Sequence, residues 1–77
     1  MRLLFFGEIA EALGCDEREV EPFPRVSDLW KRLCEESPEL KTLSGSLLVA
    51  VNRDYVKLDH SLKDEDEVAF FPPVSGG

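Results

Sequence analysis

Cysteine and histidine are scarce in this 77-residue chain, which has two cysteines and one histidine. Cys15 and Cys34 are far apart and fall outside Cys-x-x-Cys and mixed Cys/His ligand spacings, so the sequence predicts neither a disulfide framework nor a zinc site. His60 is the single histidine and lies in a turn-like segment. We therefore expect two free structural thiols and no bound metal.

Long apolar runs and clusters of basic residues are also missing. No segment approaches the roughly 20 apolar residues of a membrane-spanning helix, and the opening residues 1–8 are too short for a signal peptide. Lysine and arginine are scattered among a larger number of acidic residues, which gives a net charge of −7 and no basic stripe for nucleic acid. The sequence thus predicts a cytoplasmic protein that binds neither membranes nor nucleic acids and favours partners with basic surfaces.

Hydrophobic periodicity predicts an alternation of strands and helices. Residues 2–6 and 47–51 are continuous apolar runs, which are typical of strands covered on both faces. The other predicted elements are a short helix at 8–13 ended by Gly14, an edge strand at 17–23, a main helix from the N-cap Ser27 to Ser37-Pro38, a hairpin strand at 55–58 after a turn at 52–54, and a last strand at 68–71.

These elements predict an α+β fold. The first and last strands are expected to lie side by side at the centre of a mixed sheet, with the main helix packed across it, as in a β-grasp. A chain of 77 residues makes one domain with a single, modest core. We assign residues 1–72 to this domain and residues 73–77 to an extended, flexible C-terminal tail.

The sequence ends in two glycines, Gly76 and Gly77, directly after the stiff apolar run 70–75. A terminal carboxylate flanked by glycines can be threaded through a channel too narrow for any residue with a Cβ. No side chain crowds its carbonyl carbon, so it is well suited to activation as an acyl group. The alternative is an ordinary frayed terminus, although two glycines in a row at a chain end are uncommon by chance.

The ending Phe-Phe-Pro-Pro-Val-Ser-Gly-Gly at 70–77, with Val-Ala-Val-Asn-Arg at 49–53 and Asp-Glu-Asp-Glu-Val-Ala at 64–69, resembles the family of molybdopterin synthase small subunits. The resemblance extends to the opening Leu-Leu-Phe-Phe at 3–6, and the tail shows no departure from the family pattern. It implies a ubiquitin-like β-grasp fold and a sulfur carrier of molybdenum cofactor biosynthesis.

The resemblance also implies that Gly77 is the reactive residue. An ATP-dependent activating enzyme would adenylate its carboxylate, and a persulfide from a sulfur donor protein would displace AMP and leave a C-terminal thiocarboxylate, a 1-thioglycine. The large synthase subunit would receive the tail and supply the acid and base groups. This chain would then be the non-catalytic, sulfur-donating subunit of a heterotetramer, with no stably bound cofactor. Neither Cys15 nor Cys34 lies in a sequence context that activates a thiol, so neither is expected to carry the sulfur itself.

Partner contacts are implied for an apolar patch of Phe6, Tyr55 and Phe71, because aromatic residues are frequent interface anchors. Phe6 and Phe71 are equally compatible with burial in the core. Pro72 and Pro73 either keep the tail extended or only end the last strand. The tail residues that complete the predicted site are Val74, Ser75, Gly76 and Gly77.

Three other interpretations are open. The chain is a ubiquitin-like modifier joined to target lysines through Gly77, a thiamine-pathway sulfur carrier, or a passive interaction module with an incidental tail. The thiamine carrier fits less well, because it usually lacks the double proline before its diglycine. The acidic run at 64–67 is either a solvated turn or a docking element for basic residues of the activating enzyme.

Overall fold

A mixed sheet of five strands forms the centre of the fold in the computed structural model, which describes residues 1–73. The strands are β1 (Arg2–Phe5), β2 (Glu17–Glu19), β3 (Leu48–Val51), β4 (Asp54–Val56) and β5 (Glu67–Phe71). Their order is β2-β1-β5-β3-β4, and β1 pairs with β5 in parallel while the other pairs are antiparallel. The predicted central pairing of the first and last strands is therefore confirmed.

Three helical segments connect the strands: α1 (Gly7–Leu13), α2 (Val26–Glu36) and a 3₁₀ helix (Pro38–Leu43). Gly14 ends α1 in the left-handed conformation at φ 76°, where a glycine avoids the Cβ clash of other residues. The predicted end of α2 before Ser37-Pro38 is confirmed. Within residues 1–73, none of the helices has the length and apolar character needed to cross a membrane.

The predicted N-cap of α2, Ser27, is wrong, because the helix begins at Val26 and its N-cap is Arg25. Val26 is fully buried and extends the apolar stripe of the helix by one residue toward the N-terminus. The free amide groups of the first turn are satisfied by a crossing segment instead of a side chain. The Val26 amide donates to the carbonyl oxygen of His60 at 3.1 Å, and the Ser27 amide donates to that of Leu58 at 2.7 Å.

The hydrophobic core lies between the sheet and α2. Phe70 on β5 is fully buried and stacks on Trp30 of α2, with ring centroids 5.6 Å apart, and on Phe5 of β1 at 6.1 Å. The core residues run from Leu3 to Phe70. The core of residues 1–73 is therefore built by the strands and helices that precede the tail.

The prediction that residues 2–6 and 47–51 are covered on both faces is wrong. Successive strand residues point to opposite faces of a sheet. Leu3 and Phe5 are buried under the helices, whereas Phe6 is 42% exposed and Leu48 is 40% exposed. One face of the sheet thus packs on α2, and the opposite face is apolar but uncovered within residues 1–73.

The edge strand is shorter than predicted, since β2 ends at Glu19 instead of residue 23. Arg18 ties this strand to α2, because its Nη1 and Nη2 atoms donate to the two carboxylate oxygens of Glu36 at 2.8 and 2.9 Å. The Arg18 guanidinium lowers the pKa of the Glu36 carboxyl below its usual value. At the other edge, β4 ends at Val56, two residues before the predicted end of that strand.

The acidic run at 64–67 divides into exposed and buried residues. Asp64 and Glu65 are exposed, but Asp66 is only 8% exposed. Its carboxylate accepts hydrogen bonds from the Lys63 amide at 2.8 Å and from Nδ2 of Asn52 at 2.9 Å. The hydrogen bond from the Lys63 amide, and after it the bond from Asn52, lowers the pKa of the Asp66 carboxyl. Asp66 therefore holds the turn before β5 against the β3–β4 hairpin.

Replacing Asp66 with Asn should lower the free energy of unfolding by about 1–3 kcal/mol at neutral pH, because the two hydrogen bonds to the buried carboxylate lose their charged acceptor. The folded-state pKa of Asp66 is lowered, so its contribution is full above its ordinary pKa of 3.8 and is lost as the pH falls through the lowered value. Urea unfolding of both proteins across this acidic range measures the difference. A difference that stays constant as the pH falls would contradict the assignment.

Candidate docking face and C-terminal segment

The uncovered face of the sheet, which we call the open face, carries a shallow depression of about 510 Å³. It is lined by Arg2, Leu4, Phe6, Ala50, Arg53, Tyr55, Glu67, Ala69 and Phe71. The apolar members come from the neighbouring strands β1, β5, β3 and β4 and from Phe6, which directly follows β1. Every second residue of a strand points to the same face of the sheet. The open face is therefore a product of the sheet register.

Three aromatic residues meet on the open face. The rings of Phe6 and Phe71 stack with centroids 4.5 Å apart and planes 10° apart. The Tyr55 ring is tilted against Phe71 at 6.2 Å. Tyr55 is 72% exposed and Phe71 is half-buried. The structure thus brings together the three residues predicted to form an apolar patch, and it places Phe6 and Phe71 outside the core.

The open face also contains residues that the sequence did not single out. Leu48 pairs with Phe71 in the β3–β5 register and is exposed beside it. Arg2 and Arg53 add cationic groups to the lining. The continuous apolar run 68–71 in β5 is the signal that would have indicated a second, outward-facing apolar row, because successive strand residues point to opposite faces.

The chain leaves the sheet directly beside the aromatic cluster. Strand β5 ends at Phe71, and the half-buried Pro72 lies against Gly7 at the start of α1. A Cβ added at Gly7 would lie 2.9 Å from Cγ of Pro72, and Gly7 has φ 55°, so glycine allows this close approach. Pro72 and Pro73 therefore follow the strand end at once, and the contact with Gly7 sets the direction in which the chain leaves β5.

The remaining predicted site residues, Val74, Ser75, Gly76 and Gly77, lie outside the residues that the structure describes. The proposed domain boundary at residue 72 falls next to this region and stays a prediction. The tail continues from Pro73, the last described residue, which follows Phe71 by only two positions. Any partner that holds the tail must therefore also come close to the open face.

The two cysteines lie away from this site and are both free. Cys34 is buried in α2, and burial raises the pKa of its thiol. A thiol with a raised pKa is a poorer nucleophile at neutral pH, because less thiolate is present. Cys15 is half-buried and accepts a hydrogen bond from Nη2 of Arg18 at 3.5 Å. Across residues 1–73 no group of three or more His, Cys, Asp or Glu residues is placed to hold a metal ion.

Comparison with known proteins gives a consistent result. The sequence profile of the ThiS family matches residues 3–77. The chain is 45% identical over 80 residues to the molybdopterin synthase sulfur carrier subunit of Escherichia coli strain K12, in a match that covers 100% of this chain and 99% of that protein.

Two solved structures are similar over nearly the whole chain. Small archaeal modifier protein 1 from Methanosarcina acetivorans has a TM-score of 0.84 and 28% identity, covering 99% of this chain and 94% of that chain. A chain in the complex of subunits 1 and 2 of the molybdopterin-converting factor from Helicobacter pylori has a TM-score of 0.65 and 28% identity, covering 99% and 96%. The fold is thus the ubiquitin-like β-grasp that the sequence predicted.

Proposed function

The chain belongs to the ThiS family, and we propose that it is the sulfur carrier subunit of molybdopterin synthase, with the C-terminal carboxylate of Gly77 as its reactive group. The observation that supports this most directly is the aromatic cluster of Phe6, Tyr55 and Phe71 on an uncovered sheet face. This cluster lies at the point where β5 passes into the tail. One partner can therefore bind the open face and receive the tail at the same time.

The proposed chemistry follows from the poor reactivity of a carboxylate, whose charge is spread by resonance and whose oxide is a bad leaving group. An activating enzyme joins an oxygen of the Gly77 carboxylate to the α-phosphate of ATP and releases pyrophosphate. A persulfide of the sulfur donor then displaces AMP and forms an acyl disulfide. Reduction of its S–S bond by a thiol leaves the thiocarboxylate, whose charged sulfur is the better nucleophile toward a pterin precursor.

In this proposal the described residues bind and orient, and the large subunit supplies the acid and base groups. The complex of subunits 1 and 2 from Helicobacter pylori supports a large-subunit partner. Prolines at 72 and 73 restrict the backbone and reduce the entropy that the tail loses on insertion. The glycines at 76 and 77 let the reactive end pass a narrow channel. Well-oriented delivery of a reactant lowers barriers by roughly 7–11 kcal/mol.

The proposed assembly is a heterotetramer in which two copies of this chain flank a dimer of large subunits. ATP is consumed by the activating enzyme and is not held by this chain. We further propose a cytoplasmic location, which is supported by the two free thiols, since a reducing compartment keeps cysteines unpaired.

Intact mass spectrometry of the protein isolated from its native cell tests the proposal. A fraction that is heavier by one oxygen-to-sulfur exchange, and that disappears when the activating enzyme is deleted, is the expected result. A chain that continues beyond Gly77, or that never gains sulfur under conditions of molybdenum cofactor synthesis, would overturn it. The same spectra report whether the carboxylate is unmodified, adenylated or thiocarboxylated.

A protein modifier is the second candidate, because small archaeal modifier protein 1 is a close structural neighbour. Activation to the adenylate serves both functions, and the two differ in what attacks the acyl group. Branched peptides in which Gly77 is joined to a lysine of another protein would support the modifier. Their absence, together with a thiocarboxylated fraction, would support the carrier alone.

Replacing Tyr55 with Ala should weaken binding to the large subunit by more than about 1 kcal/mol, because a largely exposed aromatic ring loses its contact area. The free energy of unfolding should change little, since Tyr55 lies outside the core. Isothermal titration of both proteins with the purified large subunit measures the effect. Unaltered affinity would remove Tyr55 from the interface.

A further inference from the structure

The hairpin that joins β3 to β4 contains a residue in an unfavourable backbone conformation. Asn52 and Arg53 form the two-residue turn between the paired residues Val51 and Asp54, with φ 50° and φ 74°. Such turns favour Asn-Gly, because both central residues have positive φ. Asn tolerates this region well, but an arginine there carries a Cβ clash that glycine avoids.

Asn52 has an evident structural role, and Arg53 does not. The Asn52 side chain donates to Asp66 and accepts a hydrogen bond from the Glu67 amide at 3.1 Å. The Arg53 side chain is exposed and makes no hydrogen bond or ion pair to any residue in the range 1–73. Backbone strain that no internal contact explains is a reason to look for a function of the side chain.

The position of Arg53 suggests what that function is. It lines the open-face depression together with Tyr55 and Phe71. The other arginine of this lining, Arg2, is already paired, because its Nη2 atom donates to Glu17 at 2.6 Å. Arg53 is therefore the uncompensated positive charge on this lining, on a chain whose net charge is −7.

We propose that Arg53 is a specificity-determining docking residue, whose guanidinium pairs with a carboxylate of the large subunit at the edge of the apolar contact. The inference rests on the proposed function and adds the chemistry of the partner surface. A guanidinium presents a planar pair of N–H donors that matches a carboxylate, and a lysine ammonium does not. Apolar contact gives affinity at the aromatic cluster, and the ion pair selects partners that carry an acidic group opposite the hairpin.

Binding of purified variants to the large subunit tests this assignment. At low ionic strength we expect Arg53→Gln to weaken binding about fivefold and Arg53→Glu about 30-fold, because the latter places like charges together. Arg53→Lys should lose about twofold. At about 1 M ionic strength, where the Debye length falls to about 3 Å, the difference between Arg53→Gln and the unmodified chain should nearly disappear.

A matched control and a stability measurement separate docking from a structural role. Lys31→Gln removes the same charge from the exposed side of α2, on the opposite face of the sheet, and should bind like the unmodified chain. Arg53→Gly should raise the Tm by about 2–5 °C, because the turn strain is relieved, while it weakens binding as much as Arg53→Gln does. A side chain that only stabilised the hairpin would give a lower Tm in the glycine variant.

The outcomes for Arg53 and for the proposed function are distinguishable. If the unmodified chain does not bind the large subunit, the proposed function is overturned, and the role of Arg53 with it. Normal binding by Arg53→Gln, alongside weakened binding by Phe71→Ala, overturns the role of Arg53 alone. A fall in Tm for Arg53→Gly also overturns it, because the strain would then not exist.

Discussion

Deleting Gly77 should abolish conversion of the chain to a thiocarboxylate. The shortened tail would place the carboxylate about 3.3–3.6 Å short of its position in the activating enzyme. A misplacement of even about 1 Å can cost a factor of about 100 in rate, so we expect a loss of at least that size. Intact mass after incubation with the activating enzyme, ATP and a sulfur source measures the conversion.

The same deletion should leave the Tm almost unchanged, because the core residues lie between Leu3 and Phe70. This separates loss of the reactive group from loss of the fold. The Gly76→Ala variant keeps the chain length and adds only a Cβ, so slower conversion of this variant would show that the tail has to pass a narrow channel. A shortened chain that still gains sulfur at the normal rate would contradict the assignment of Gly77, and a large fall in Tm would show that the tail is structural.

Alanine at two neighbouring positions should impair different properties, stability at Phe70 and partner binding at Phe71, because the two residues lie on opposite faces of β5. Phe70 is fully buried against Trp30, so Phe70→Ala should lower the free energy of unfolding by about 3–5 kcal/mol. The whole free energy of unfolding of a domain of this length is only about 4–12 kcal/mol. The Tm should therefore fall by at least about 12 °C.

Phe71→Ala should instead weaken binding to the large subunit by about 2 kcal/mol or more, because Phe71 joins Phe6 and Tyr55 in the exposed cluster. Its effect on the free energy of unfolding should be much smaller than that of Phe70→Ala. Titration calorimetry and thermal unfolding of both variants provide the comparison. Equal destabilisation by the two substitutions would mean that the open face is part of the core.

Strand identity and pairing were readable from the sequence, whereas coverage of the sheet was not. The continuous apolar runs at 2–6 and 47–51 do form strands, and the pairing of the first and last strands is confirmed. An apolar run shows only that both faces avoid water. It does not show whether this chain or a partner covers the second face, and here Phe6 and Leu48 are left exposed.

The errors in the helices have local causes. Ser27 has the preferred chemistry of an N-cap, but the amides of the first turn bind carbonyl groups of the segment at 58–60, a contact that no local pattern reveals. The 3₁₀ helix Pro38–Leu43 was not predicted, because six residues are too few for a clear period. Its buried Leu40 packs in the core that the sequence had assigned to other elements.

The aromatic cluster could be predicted only through the family resemblance, and the role of Arg53 could not be predicted at all. Phe6 and Tyr55 are far apart in sequence and meet through the register of β1, β5, β3 and β4. The strain at Arg53 depends on a positive φ angle that the Asn-Arg sequence does not predict. In both cases the information resides in the three-dimensional pairing of strands.

The central position of β5 has a consequence for synthesis of the protein. Arg2 pairs with Glu67, nearly the whole chain apart, and β5 is the strand that joins β1 to β3. A nascent polypeptide therefore has no complete sheet until its last strand has left the ribosome, and pairings of such long separation form late. Prematurely ended products that lack β5 therefore fail to acquire a protected body and remain open to proteases.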